Sequence, residues 1–183
     1  MTTVETADQR RANRKLAVDE AYQKLDEYHI NRRRISFMAN DEWRAGGYGV
    51  VRRAQLRASS YLPTWISSRL YDQPQVVAVK EIKLSAIYHG SDLKRAFTKE
   101  VLVWSRLKGH PGVSKFLGFC ADFGRKEAWL ISPWEPYGNV SEFIEGRGAL
   151  EVPEKLSLAY DTIDALAFLH QLDPPVCHGD IKS

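Results

Sequence analysis

Apolar residues return at two different periods along this chain, and the changes of period divide it. The first 35 residues contain neither Gly nor Pro. Within them Val18, Tyr22, Leu25 and Tyr28 recur every three or four positions, among charges that alternate in sign from Asp8 to Glu27. That pattern predicts an amphipathic helix. Its apolar stripe is narrow, and a helix with little to bury is marginal alone, so it is expected to lean on the rest of the chain. From Ile35 to Val79 the texture becomes strand-like: Phe37 to Trp43, Gly49 to Leu56, and the β-branched run Val76-Val77-Ala78-Val79, which suits a buried strand. Arg57 to Gln75 is too long for a hairpin loop and reads as a surface insertion. Ser91 to Leu107 is predicted as a helix capped by Ser91, with Leu93, Phe97, Val101, Trp104 and Leu107 on one face. The cluster Lys108-Gly109-His110-Pro111-Gly112 ends it. Val113–Cys120 and Ala128–Ser132 are the next strand candidates, with the turn Asp122-Phe123-Gly124 between them. Pro153 to Gln171 is a second long helix, with proline suited to its first turn and Leu156, Ala159, Ile163, Leu166, Ala167 and Leu169 spread over more than one face.

Composition narrows the class without naming it. The chain has 183 residues, 44% hydrophobic and 27% charged, values ordinary for a globular domain and enough for one domain and part of another. Its 26 basic and 23 acidic residues leave a net charge of +3, too balanced to imply nucleic-acid binding. No apolar stretch is long enough for a membrane span, and the charged N-terminus is unlike a signal peptide. The expected setting is therefore the cytoplasm, where Cys120 and Cys177 are free thiols. The run Asn31-Arg32-Arg33-Arg34-Ile35-Ser36 has two functional readings, a phosphoacceptor site for a basic-directed kinase or a nuclear address. A solvated basic turn is the commoner use of so short a run.

Candidate chemistry lies in separate places, each ambiguous by itself. Arg44-Ala45-Gly46-Gly47-Tyr48-Gly49-Val50-Val51 sits between two strands, and its glycines would let backbone N–H groups approach phosphate oxygens; an ordinary glycine hairpin has the same appearance. Lys80 closes the run Val77-Ala78-Val79-Lys80 and could present an ammonium into a cleft or emerge into solvent. Glu100, in the middle of the first long helix after the strands, could pair with Lys80 or remain a solvated helix charge. Finally, Val176-Cys177-His178-Gly179-Asp180-Ile181-Lys182-Ser183 places His, Asp and Lys in an apolar setting. Asp180 could accept a hydroxyl proton and Lys182 could steady negative charge; one His and one Asp are too few to hold a metal.

The order of these pieces is more telling than any one of them. Glycine loop, strand lysine, helix glutamate, His-Pro, a hinge-like segment, a long helix and His-x-Asp-x-Lys follow the protein kinase signature. From about Ile35 to Ser183 the chain resembles the first two-thirds or so of a eukaryotic-type protein kinase domain. Lys182, two residues after Asp180, resembles serine/threonine kinases. His-Pro-Gly-Val and Leu-Gly-Phe-Cys resemble the tyrosine-kinase-like branch, of which fungi carry many copies.

The resemblance implies an α+β, protein kinase-like fold: a small antiparallel β lobe with one helix, then an incomplete helical large lobe. Residues 1–34 would form a helical extension and a candidate protein-partner surface, 35–135 the small lobe and hinge, and 136–183 part of the large lobe, ending in the catalytic loop. It implies ATP as ligand and proteins as phosphoacceptors. Gly46, Gly47 and Gly49 would cover the phosphates, with Arg44 where the family's first glycine sits. Val51 and Ala78 would roof the adenine, Lys80 would grip the phosphates, and Glu100 would orient Lys80. Ser132 would stand at the gatekeeper position, followed by hinge residues Pro133, Trp134 and Glu135, with Pro133 lacking an N–H. Trp104, Phe116 and His178 would belong to a hydrophobic spine. Asp180 would be the catalytic aspartate and Lys182 the lysine near the γ-phosphate. Gly179 replaces the usual arginine, as in kinases that need no activation-loop phosphorylation. The family's magnesium ligands, an asparagine due at position 185 and a later Asp-Phe-Gly, fall beyond Ser183; Asp122-Phe123-Gly124 precedes the catalytic aspartate and cannot substitute. This polypeptide alone is therefore expected to be nearly inert in phosphoryl transfer, and the second long helix is expected to show an apolar patch to water. The alternative from another class is a noncatalytic nucleotide-binding or interaction module; an unrelated α+β binding domain would require all the ordered motifs to coincide.

Overall fold

The computed structural model describes residues 6–38, 43–46, 49–58, 74–82 and 91–181. Helix α1 (Ala7–Gln23) opens with a capping box: the Thr6 hydroxyl accepts from the Gln9 N–H while the Gln9 side chain accepts from the Thr6 N–H, which satisfies two end donors. The helix ends at Gln23, before Leu25 and Tyr28 of its apolar stripe; Asp26–Tyr28 and Arg32–Arg34 are single 3₁₀ turns. The strands are β1 (Ile35–Phe37), β2 (Trp43–Gly46), β3 (Gly49–Leu56), β4 (Gln75–Ile82), β5 (Gly118–Asp122) and β6 (Glu127–Pro133), and the helices after β4 are α2 (Ser91–Arg106), α3 (Val140–Arg147) and α4 (Val152–Gln171).

One antiparallel sheet runs in the order β1-β3-β4-β6-β5, with β2 also paired to β3. Both β1 and β2 lie along the same edge of β3, at Ala54–Leu56 and Gly49–Arg52 respectively. The single strand expected over Phe37–Trp43 is thus an edge in two pieces. The strand expected from Val113 begins only at Gly118, where the register with β6 starts, with the Leu117 N–H donating to the Ile131 carbonyl at 3.0 Å just before it. Helix α3 was not anticipated: it is one short segment, opened by an Asn139–Glu142 capping box. The Arg57–Gln75 insertion lies mostly outside the described residues, as do residues 39–42, 47–48 and 83–90.

The period-two alternation sorts side chains onto two faces. Ala54, Leu56, Val77, Val79, Trp129 and Ile131 point to one face, with Ile30, Ile35 and Cys120. On the other face Phe119, Ala128 and Leu130 pack against Phe97 and Val101 of α2 and Leu25. So α1 does lean on the rest, and the turn after it contributes Leu25, 2% exposed, to the core. Asp19 of α1 accepts a hydrogen bond from Lys94 of α2 at 2.5 Å, which holds the Asp19 carboxyl below its ordinary value. The basic run is a solvated turn, as expected, with Asn31, Arg32 and Arg33 exposed, and two of its arginines also make contacts. Arg34 donates twice to the Arg57 carbonyl, at 2.9 and 2.8 Å, and Arg32 lies 4.6 Å from the Trp129 ring centroid and 3.7 Å from Glu127. Ser36 pairs with Gln55 inside the sheet. On α4, Val152, Leu156, Tyr160 and Ile163 are all more than half exposed, the apolar patch that the sequence led us to expect. No helix among the described residues is long and apolar enough to cross a membrane.

Candidate active site

Register decides which residues share the cleft face. Directly paired residues of an antiparallel ladder project to the same side. Lys80 is paired with Val51 on β3 and Leu130 on β6, and Ala78 with Arg53 and Ser132. Val51, Arg53, Ala78, Lys80, Leu130 and Ser132 therefore occupy one face, the face that α2 covers at Phe97 and Val101. Of these, Arg53 was not singled out from the sequence, although alternation along β3 from Val51 already puts it on this face.

Helix α2 crosses that face and delivers Glu100. The Lys80 Nζ donates to Glu100 Oε1 at 3.3 Å, and the side chains keep 35% and 43% of their exposure. The pairing anticipated over twenty residues of sequence is present. It is too exposed to hold the fold together, since half-exposed ion pairs contribute about 0–1 kcal/mol; its consequence is orientation. Both residues open onto a groove of about 660 Å³ between α2 and α4, lined also by Trp104, Leu166, His178 and Ile181.

The C-terminal run reaches this groove because the two helices are tied together. His110 Nε2 lies 3.1 Å from Asp164 Oδ2 of α4, and its ring stacks on Phe168 at 4.9 Å. Its Nδ1 accepts the Gly112 N–H, so the Nε2 proton faces Asp164. Arg106 donates to the Asp173 carbonyl, and the Val176 N–H returns to the Leu169 carbonyl at 2.9 Å. Asp180 is exposed, with its N–H donating to His178 Nδ1 at 3.3 Å. Gly179, read as a replacement for arginine, has φ +74°; this left-handed conformation gives the position a backbone reason to be glycine.

Gly46 and Gly49 pair with each other at the end of β2 and β3. Gly47 between them and Lys182 lie outside the described residues. At the segment expected to be the hinge, Pro133 ends β6 opposite Val77, and the Trp134 N–H donates to the Val76 carbonyl at 3.4 Å. The missing N–H of proline therefore leaves the ladder continuous. Ser132 is half-buried, Glu135 is exposed, and Arg53 lies 5.7 Å from the Trp134 ring centroid. Of the expected spine, Trp104 and Phe116 touch with ring centroids 5.4 Å apart, while Trp104 and His178 both line the groove.

The two thiols differ sharply. Cys120 is buried, its Sγ–H donates to the Ile30 carbonyl at 2.8 Å, and burial pushes its pKa up to about 11. Cys177 is exposed beside the groove. Iodoacetamide at neutral pH should therefore alkylate Cys177 in the native protein and reach Cys120 only after denaturation, since the thiolate is the nucleophile. Peptide mass mapping reads both; rapid native labelling of Cys120 would contradict this packing.

Comparison with known proteins agrees with the geometry. The sequence model of the protein kinase domain matches residues 66–183. Interleukin-1 receptor-associated kinase 1 of Mus musculus is 32% identical over 142 residues, which cover 75% of this chain and 17% of that protein. The probable serine/threonine-protein kinase PBL15 of Arabidopsis thaliana is 29% identical over 150 residues, covering 81% of this chain and 32% of the relative. The probable serine/threonine-protein kinase roco5 of Dictyostelium discoideum is 26% identical over 141 residues, 75% of this chain and 4% of its own length. The chain thus spans a third or less of these relatives. With the antiparallel sheet, the lysine–glutamate pair and the match over residues 66–183 in agreement, this chain belongs to the protein kinase family.

Proposed function

We propose that these residues form the nucleotide-binding part of a serine/threonine protein kinase, acting by phosphoryl transfer from ATP to hydroxyls of proteins. The observation that carries this reading is the Lys80–Glu100 pair, 3.3 Å apart and opening onto the groove whose other wall holds His178. In this reading residues 35–135 are the small lobe and hinge. Val51 and Ala78 supply an apolar ceiling for adenine, with Ser132 behind it and the backbone around Glu135 at the open edge. Gly46, Gly47 and Gly49 cover the phosphates. A lysine fixed by a carboxylate keeps its charge aimed at one point, which is how positioning lowers the barrier in phosphoryl transfer. Asp180 accepts the substrate hydroxyl proton, and Lys182 steadies charge as the phosphoryl group leaves ATP.

Magnesium is a different matter. The family uses it, but the described residues hold no cluster of three or more His, Cys, Asp or Glu side chains that could bind a metal. A polypeptide of residues 1–183 should therefore bind a fluorescent ATP analogue saturably and release it to excess ATP. With Mg-ATP and a generic protein substrate, the same polypeptide should transfer no radiolabelled phosphate. Failure to bind the analogue would overturn the nucleotide site. Robust transfer that Asp180→Ala abolishes would show that the metal ligands have been overvalued.

A further inference from the structure

Helix α2 has two working faces. One, through Ala96, Glu100, Val103 and Trp104, lines the groove. The other, through Lys94, Phe97 and Val101 at helical spacing, meets α1, the turn after it and the sheet. The groove-side pair with Lys80 is half-exposed and, among the described residues, stands alone on its face, whereas the second face couples an ion pair of similar exposure, Lys94–Asp19 at 28% and 38%, to buried Phe97 and Val101, so the second face sets the helix's position.

That face is held largely by α1 and the turn that follows. The Lys94 ammonium is bound by Asp19 at 2.5 Å and lies 4.6 Å from the Tyr22 ring centroid. Tyr22 meets Phe119 and Phe123, each at 5.6 Å, and Phe97 of α2 meets the same two rings at 5.5 and 5.8 Å. Leu25 completes the cluster beside Phe97 and Val101. An α-helix moves as a rigid element, so whatever fixes its Lys94–Phe97 stretch also fixes Glu100 less than two turns later.

We propose that Asp19 and Tyr22 are positioning residues for Glu100: α1 clamps α2 where the carboxylate meets Lys80, and loosening α1 weakens nucleotide binding at a site it does not touch. The proposal rests on the nucleotide-site reading above. A signal or partner that displaced α1 would act on that site through the same helix, as a coupling free energy between two places.

The test uses residues 1–183, a fluorescent ATP analogue and hydrogen exchange. Asp19→Ala should weaken the analogue about 5-fold and speed exchange of the α2 amides about 10-fold. Glu100→Gln should weaken the analogue at least as much, and the double variant no more than Glu100→Gln alone, because the clamp works only through that carboxylate. Asp19→Lys combined with Lys94→Asp should restore affinity to within about 2-fold. Additive losses, faster exchange with unchanged affinity, failure of the charge swap to rescue, or α2 exchange equal to wild type would each overturn the clamp. A wild-type chain that binds no analogue would defeat the nucleotide reading instead. Exchange in α2 would then decide the clamp alone, faster in Asp19→Ala supporting it and unchanged overturning it.

Discussion

Lys80→Ala should remove the rise in melting temperature that an ATP analogue gives to residues 1–183, and should leave the melting of the nucleotide-free protein almost unchanged. The two halves of this expectation have separate causes. Lys80 is 35% exposed and its partner Glu100 is 43% exposed, so the pair adds about 0–1 kcal/mol to stability. For a chain of this size that is worth roughly 2–4 °C at most. A ligand at a hundred times its dissociation constant stabilises the folded state by about 2.7 kcal/mol, or roughly 5–11 °C. If the Lys80 ammonium holds the phosphates, its loss lowers affinity enough to erase most of that rise. Differential scanning fluorimetry with and without a non-hydrolysable analogue measures both halves. A shift in the variant as large as in the wild type would remove Lys80 from the site. A large fall in the nucleotide-free variant would mean that the exposed pair bears on the fold after all.

The sequence carried the site's ordering further than its edges. The run Val77 to Lys80 alternates, and alternation alone puts Ala78 and Lys80 on one face; the pair with Glu100 then needed only a helix at the right distance. Helix α2 and strand β3 were legible because their periodicity is strong over many residues. Val113–Cys120 was misread at its start because apolar Val113, Phe116 and Leu117 also suit an irregular packed segment, and nothing local separates the two. Short α3 offers too few turns for a periodic signal, although the Asn139 to Glu142 spacing is a capping box that could have marked it. The Asp19–Lys94 and His110–Asp164 contacts span chain separations of 75 and 54 residues, and no local pattern encodes them. The arginine run is solvated, as its charge predicts, with Arg32 and Arg33 exposed; what no local pattern encodes is the contact of Arg32 with Glu127 and Trp129 and of Arg34 with the Arg57 carbonyl.

Gly118→Ala should be among the most destabilising single substitutions in the described residues, by about 3–5 kcal/mol, because overpacking and a φ that disfavours a side chain each cost about 1–3 kcal/mol. The residue opens β5 with φ +149°, and a Cβ there would come within 2.4 Å of the Tyr28 carbonyl oxygen and 2.8 Å of an Ile30 side-chain carbon. The contact exists because the segment after α1 runs along β5: His29 bridges Phe119, and the Ile30 N–H donates to the Phe119 carbonyl at 2.8 Å. A methyl group forces one of two responses. Either β5 shifts and its pairing with β6 suffers, or the 28–30 segment lifts away and exposes Ile30 and Leu25, now 5% and 2% accessible, at about 1.5–3 kcal/mol for each side chain. Both lower the melting temperature by roughly 6–20 °C, and a variant melting within about 2 °C of wild type would contradict the close approach. Limited proteolysis separates the responses. Lifting of the segment makes the bonds after Arg32, Arg33 and Arg34 accessible to trypsin while the sheet persists; a shift of β5 leaves them protected and spreads the damage to Phe119, the ring on which Tyr22 and Phe97 both rest.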